Sequence, residues 1–176
     1  MIVNKLLGGV AALALLAAPA LAAQAQVYGA MTLAQLAKVL TDERGVPAEI
    51  KESGGKQILM VDGATYQVAP KIQISGILCN AAVSCGGFAM AASLQVPAGA
   101  ISDAQLLELI GKFDFATLDR LDATHLALTM AAVTEGGVTA ENIDNHLRFF
   151  AGQIQGVLGE VQKLLPAQAP AKTKGK

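Results

Sequence analysis

The chain of 176 residues has no tryptophan, only 4% aromatic residues, two histidines and two cysteines. So few rings leave little with which to stack bases or sugars. A formal charge of −1, with 13 basic side chains against 14 acidic, gives no excess of Lys and Arg to neutralise a phosphate backbone. Nucleic acid is therefore not an expected partner. Catalytic signatures are equally scarce. There is no G-x-S-x-G elbow and no phosphate-cradling loop of the Walker or dinucleotide type, and neither His125 nor His146 is tied by spacing to a nucleophile. Asp114, Asp119, Asp122 and Glu135 do crowd one stretch, where a paired-carboxylate site is conceivable. Solvation of turns and strand edges is the commoner use of such residues. The expectation is a non-enzyme with no cofactor and no metal, whose two histidines lie at the surface.

Long hydrophobic runs are also missing, save one. Lys5 precedes an apolar run of about 13 residues, Leu6 to Ala18, then Pro19 and two overlapping small-residue sites, Ala20-Leu21-Ala22 and Ala23-Gln24-Ala25. This is the layout of a secretory signal peptide over residues 1–25. An uncleaved anchor is the alternative, since with its flanking alanines the stretch reaches roughly 17 residues, near the lower limit for spanning. Small residues just after a helix-breaking proline are what signal peptidase needs and an anchor does not. Cleavage at either site predicts a periplasmic protein with no stable membrane insertion afterwards. Its charge becomes −2, because only Lys5 is lost and 12 basic groups then face 14 acidic ones. Roughly 150 residues remain, the size of one ordinary domain. The expected limits are residues 26–165 for a single domain and 166–176 for a disordered tail, rich in Ala and Pro and carrying Lys172, Lys174 and Lys176.

Both cysteines, Cys79 and Cys85, fall in the mature chain with five residues between them. An even count in an oxidising compartment reads as a disulfide, here across the mouth of a hairpin loop. A thioredoxin-like site would need C-x-x-C and a zinc site further ligands at the right spacing, so reactive thiols or a metal are the weaker alternatives.

Periodicity orders the rest. Thr32 with Gln35 is a capping-box pattern opening a helix whose Leu33, Leu36, Ala37 and Leu40 recur at helical spacing, with Gly45 placed to end it. Val46, Ala48 and Ile50 then alternate with polar residues, Ser53-Gly54-Gly55 makes a turn, and Ile58 to Val61 forms a second strand. Asp62-Gly63 reads as a tight hairpin turn into a third strand, Thr65 to about Leu78, interrupted at Pro70 by an edge, bulge or break. Phe88, Met90, Ala92, Leu94 and Val96 mark a fourth strand, antiparallel to its predecessor through the cysteine loop. Ser102 with Gln105 opens a second helix with a stripe of Leu106, Leu107, Leu109, Ile110 and Phe113, and Phe113 and Phe115 are expected in the core. A hairpin turning at Asp122-Ala123-Thr124 follows, ended by Glu135-Gly136-Gly137. From about Thr139 a long helix carries Ile143, Leu147, Phe150, Ile154, Val157, Val161 and Leu164, with His146 on the opposite face. Its Gly152 and Gly156 are expected to allow close packing on the sheet.

This order of elements resembles the YbjN family, described as bacterial sensory transduction regulators. The residues that carry the resemblance are Cys79 and Cys85 between two strands, Phe113-Asp114-Phe115 leading into Leu118-Asp119-Arg120-Leu121-Asp122, and Glu135-Gly136-Gly137-Val138-Thr139 before the last helix. It covers roughly residues 32 to 160. A Trp-Asn pair common near the end of the family's second helix is replaced by Ile110-Gly111. The resemblance implies an α+β fold of about three helices on an antiparallel sheet, similar to class I type III secretion chaperones. It also implies a protein-binding or regulatory module rather than an enzyme. The expected partner is an unidentified protein or peptide of the cell envelope, met at a sheet edge near Pro70 or on the outer helix faces, with a homodimer also open. The alternative is a small hydrophobic ligand held between helices and sheet by Phe88, Met90 and Leu94.

Overall fold

The computed structural model describes residues 25–80 and 84–165; the expected signal peptide, save Ala25, and the expected tail from residue 166 lie outside the described residues. The elements in chain order are β1 (Val27–Tyr28), α1 (Leu33–Lys38) running on as a π-helical turn (Val39–Glu43), β2 (Ala48–Ser53), β3 (Lys56–Val61), a 3₁₀ turn (Gly63–Tyr66), β4 (Ile72–Cys79), β5 (Cys85–Gln95), α2 (Asp103–Ile110), β6 (Thr117–Arg120), β7 (His125–Val133), β8 (Val138–Thr139) and α3 (Ala140–Leu164). β2 to β7 form one antiparallel sheet in the order β2-β3-β4-β5-β7-β6, and β1 pairs with β8 in a two-stranded sheet. The architecture is α+β.

Alternation along the strands builds the core. Phe88, Met90, Ala92 and Leu94 of β5, Leu126, Leu128, Met130 and Ala132 of β7, and Leu59 and Val61 of β3 are buried on one face of the sheet. Leu36 and Leu40 of the first helical segment, Leu109 of α2 and the seam Ile143, Leu147, Phe150, Ile154, Val157 and Val161 of α3 close over that face as one cluster. All three α-helices start with reciprocal side-chain caps: Thr32 with Gln35, Ser102 with Gln105, and Thr139 with Asn142. Gly45 ends the first helical segment at φ +65°, as its position suggests.

Two turns trade roles relative to the sequence. The two-residue hairpin loop is Gly54-Gly55, at φ +57° and +73°, joining Ser53 to Lys56. Asp62-Gly63 is not a hairpin turn. The Asp62 carboxylate accepts from the Ala64 amide at 3.0 Å and starts the 3₁₀ turn, while a Cβ on Gly63 would lie 1.9 Å from the Pro70 carbonyl oxygen. Gly63 is thus there for close approach, and the strand expected from Thr65 begins only at Ile72. Tyr66 and Val68 are buried all the same, carried by the turn and the loop after it. The break at Pro70 does not make an edge, because β4 is paired on both sides. The edges are β2 and β6.

Candidate binding surfaces

The first candidate, a ligand chamber between helices and sheet, has little room at the residues expected to line it. A crevice of about 20 Å³ lies among Leu36, Ile74, Phe88, Met90, Ile143, His146 and Leu147, room for roughly one water. Leu94 does not line it, and His146, expected on the outer face of α3, is half-buried at its rim.

The acidic residues do not assemble either. Asp122 accepts from the Thr124 amide and hydroxyl at 2.7 and 2.8 Å and lies 3.0 Å from His125 Nδ1. These contacts, the Thr124 amide first, hold the Asp122 carboxyl down at about 2. Glu135 lies beyond the other end of β7, and Asp119 faces out from β6 opposite Ala127. Among the described residues no group of three or more His, Cys, Asp or Glu is arranged to hold a metal. His125, the first residue of β7, is partly exposed.

The cysteine pair sits where β4 ends and β5 begins. Cys79 and Cys85 are cross-strand partners with their sulfurs at disulfide distance. A Cβ on Gly76 would lie 2.3 Å from Cys85 Sγ and 2.9 Å from Cys79 Sγ, so the sulfurs occupy the space that only a glycine leaves. The Cys85 backbone also exchanges both hydrogen bonds with Met31, at 2.9 and 3.0 Å, which docks the N-terminal segment onto the sheet. Thr134 Oγ1 adds a bond to the Gly29 carbonyl at 3.1 Å. An open depression of about 640 Å³ borders the pair, with Thr32, Leu33 and Lys56 on its walls.

A buried carboxylate went unseen in the sequence. Asp144 on α3 is 1% exposed and accepts from Tyr66 Oη at 2.8 Å, Arg44 Nη2 at 3.0 Å and Arg148 Nε at 3.0 Å. The Arg148 guanidinium also lies 5.6 Å from the centre of the Tyr66 ring. Burial pushes the Asp144 carboxyl up, but the three hydrogen bonds outweigh it and hold the group below its ordinary value. Burial and the same carboxylate raise Tyr66 well above the ordinary phenol value. A signal for this was present: Asp144 is flanked on the apolar seam by Ala140, Ile143 and Leu147, and a carboxylate there needs partners.

One surface is apolar where solvent reaches it. The stretch after α2 runs along α3: Lys112 pairs with Glu160 at 2.9 Å, Phe113 lies against Gly156, and Phe115 meets Phe149 edge to face with ring centres 5.6 Å apart. Phe113 reaches the core as expected, but Phe115 is 70% exposed and Phe149 43%. Two further expectations fail here. Leu107 and Ile110 face outward from α2, leaving Leu109 as its one fully buried residue. Gly156 makes room for the Phe113 ring rather than for the sheet, and nothing lies within 4 Å of a Cβ on Gly152. A pair of exposed phenylalanines in contact is unusual in a chain so poor in rings, since large apolar groups left in water mark contact surfaces.

A solved structure of YbjN from E. coli, described as a candidate transcription regulator, matches with a TM-score of 0.51 over 74% of this chain and 89% of that one, at 19% identity. The fold is the YbjN fold. No protein-family model matches the chain, and no curated protein matches its sequence. The YbjN likeness agrees with the order of elements that the sequence suggested and extends to the architecture alone. No helix among the described residues is long and apolar enough to cross a membrane.

Proposed function

We propose that this chain is a secreted, periplasmic, non-enzymatic module that binds a protein or peptide of the cell envelope, with a regulatory or chaperone-like role. The exposed Phe115–Phe149 pair carries the proposal. Two rings held edge to face on the outside of an otherwise well-filled domain gain nothing from water, and full burial of each would contribute roughly 2–3 kcal/mol. Aromatic anchors of this kind dominate protein interfaces. The leader at residues 1–25 and a cysteine pair at bonding distance support the periplasm. A regulator in that compartment acts through protein contact rather than on DNA, in keeping with a surface that has no excess of basic groups.

A hydrophobic small-molecule binder is the less supported alternative, because the crevice at Phe88 and Met90 between helices and sheet admits only about one water. The test is photo-crosslinking in cells from positions 115 and 149, with position 95 on the far side of the sheet as the control. One envelope protein captured from 115 and 149 and not from 95 is the expected result. Equal labelling from all three positions, or none from any, overturns the assignment of this face.

A further inference from the structure

We propose that β2 is a self-pairing edge, through which two copies of the chain join their sheets antiparallel about Ile50. Five of its six residues are exposed, and among the described residues no strand lies beyond it. The direction of its free hydrogen-bonding groups follows from the hairpin. A two-residue loop with both glycines at positive φ closes on a hydrogen-bonded Ser53–Lys56 pair, and alternation from there turns Lys51 and Glu49 towards β3. Glu52, Ile50 and Ala48 therefore present their N–H and C=O groups outward.

Placed about a twofold axis through Ile50, the two strands satisfy these groups. Ile50 faces Ile50 of the second copy, and Ala48 faces its Glu52, as hydrogen-bonded pairs. Glu49 faces Lys51 of the second copy, and Lys51 its Glu49. These two contacts fall in the non-hydrogen-bonded positions, where side chains approach most closely. Within one copy the same two residues already form a salt bridge along the strand at 3.3 Å, so both lie on the open face. Ile50 lies on the other, helix-covered face, because its partner across the hairpin is the fully buried Leu59. At 36% exposure Ile50 is an inward-facing core position left half-wet by the lack of a neighbour. The second copy's Ile50 supplies that neighbour.

Charge selects this register. A slip that centres the pair on Glu49 sets Glu49 against itself, and one that centres it on Lys51 sets Lys51 against itself. A slip by one residue turns the helix-covered face of one copy onto the open side of the other. The opposite edge has no such symmetry. β6 is four residues long, and its Arg120 is held by the Ile101 carbonyl at 2.6 Å and by Asp103 at 3.3 Å. The inference stands apart from the partner-binding proposal, since β2 and β6 are at opposite edges and Phe115 leads into β6.

The experiment is sedimentation equilibrium on the mature secreted chain and four variants. Wild type is expected to show a concentration-dependent monomer–dimer equilibrium that weakens with salt. Lys51→Glu or Glu49→Lys alone brings like charges together at both symmetric sites and is expected to raise the dissociation constant about tenfold or more. The double swap Glu49→Lys with Lys51→Glu restores opposite charges and is expected to return it to near the wild-type value. Ile50→Pro removes an outward N–H, which an edge strand tolerates, and is expected to leave a folded monomer. Should Ile50→Pro unfold, the three charge variants still decide. A wild-type chain that stays monomeric, a dimer indifferent to Lys51→Glu, or a double swap as weak as the single variants overturns the proposal.

Discussion

Tyr66 donates its hydroxyl proton to Asp144 at 2.8 Å across 78 positions of sequence, and the bond ties the 3₁₀ turn after β3 to the first turns of α3. Arg44 brings the end of the first helical segment to the same carboxylate. Three elements that share no strand pairing thus meet at one buried oxygen pair.

Replacing Asp144 with alanine leaves the buried Tyr66 hydroxyl without its acceptor and frees two arginines. Because Arg44 and Arg148 are 33% and 60% exposed, both rehydrate. The expected loss is therefore about 3 kcal/mol, the low end of the range for a broken buried pair. Tyr66→Phe removes one hydrogen bond to a charged group and is expected to cost about 1.5–2 kcal/mol. Urea titration of both variants reads these losses.

The same cluster sets a pH dependence. The folded pKa of Asp144 lies below its unfolded value, so its contribution is fully present above the unfolded pKa, near 4. It is lost as pH falls through the depressed folded value. Tyr66 shifts the other way: its contribution is full below the ordinary phenol value, near 10, and is lost as pH rises towards the raised folded value. Melting temperatures measured from pH 2 to 6 are expected to fall more gently with acid in Asp144→Asn than in wild type. A parallel decline in the two proteins would count against the assignment.

Cys79 and Cys85 are proposed to be bonded. Intact mass without reductant is expected to be lower by two hydrogens than after reduction. Opening so short a loop is expected to cost about 2 kcal/mol on the chain-entropy account. The loss would be seen as a lower melting temperature in dithiothreitol that Cys79→Ser reproduces.

Glycines separate sharply by surroundings. Gly76→Ala drives a methyl into both sulfurs and is expected to destabilise by more than about 2 kcal/mol and to hinder formation of the bond. Gly152→Ala, in an open helix position, is expected to stabilise by about 0.5–1 kcal/mol. A thermal melt of each gives opposite signs if the packing is as described.

Phe115 and Phe149 offer a different contrast. Their double alanine variant is expected to change stability by less than about 1 kcal/mol, because much of both rings is already wet. Crosslinking to the proposed partner from a probe at the exposed position 107 or 110 is expected to be lost. A large fall in melting temperature would show that the pair serves the fold instead.

What the sequence disclosed was local. The helix starts at Thr32 and Ser102 are readable because a capping box is complete within four residues, while the start near Thr139 is readable only from the apolar seam that follows it. β5 is readable because the eight residues from Phe88 to Gln95 alternate between faces. What escaped depended on distant neighbours. Asp-Gly at positions 62 and 63 carries a hairpin signal, yet the deciding atom is the Pro70 carbonyl. The α2 stripe gives no sign that α3 leaves Leu107 and Ile110 uncovered, and β1 and β8 are too short for any periodicity. Asp144 was the nearest miss, since its place on the seam was visible and only its partners were not.

The pairing of Val27 with Thr139 and Tyr28 with Val138 bears on the order in which the molecule is completed. A chain emerges N-terminus first, whether from the ribosome or through a membrane channel. The sheet from β2 to β5 is built of neighbours in sequence and can assemble as it appears. Residues 27 and 28 must stay unpaired until 111 more residues have followed, so the earliest part of the domain to arrive is among the last to be seated.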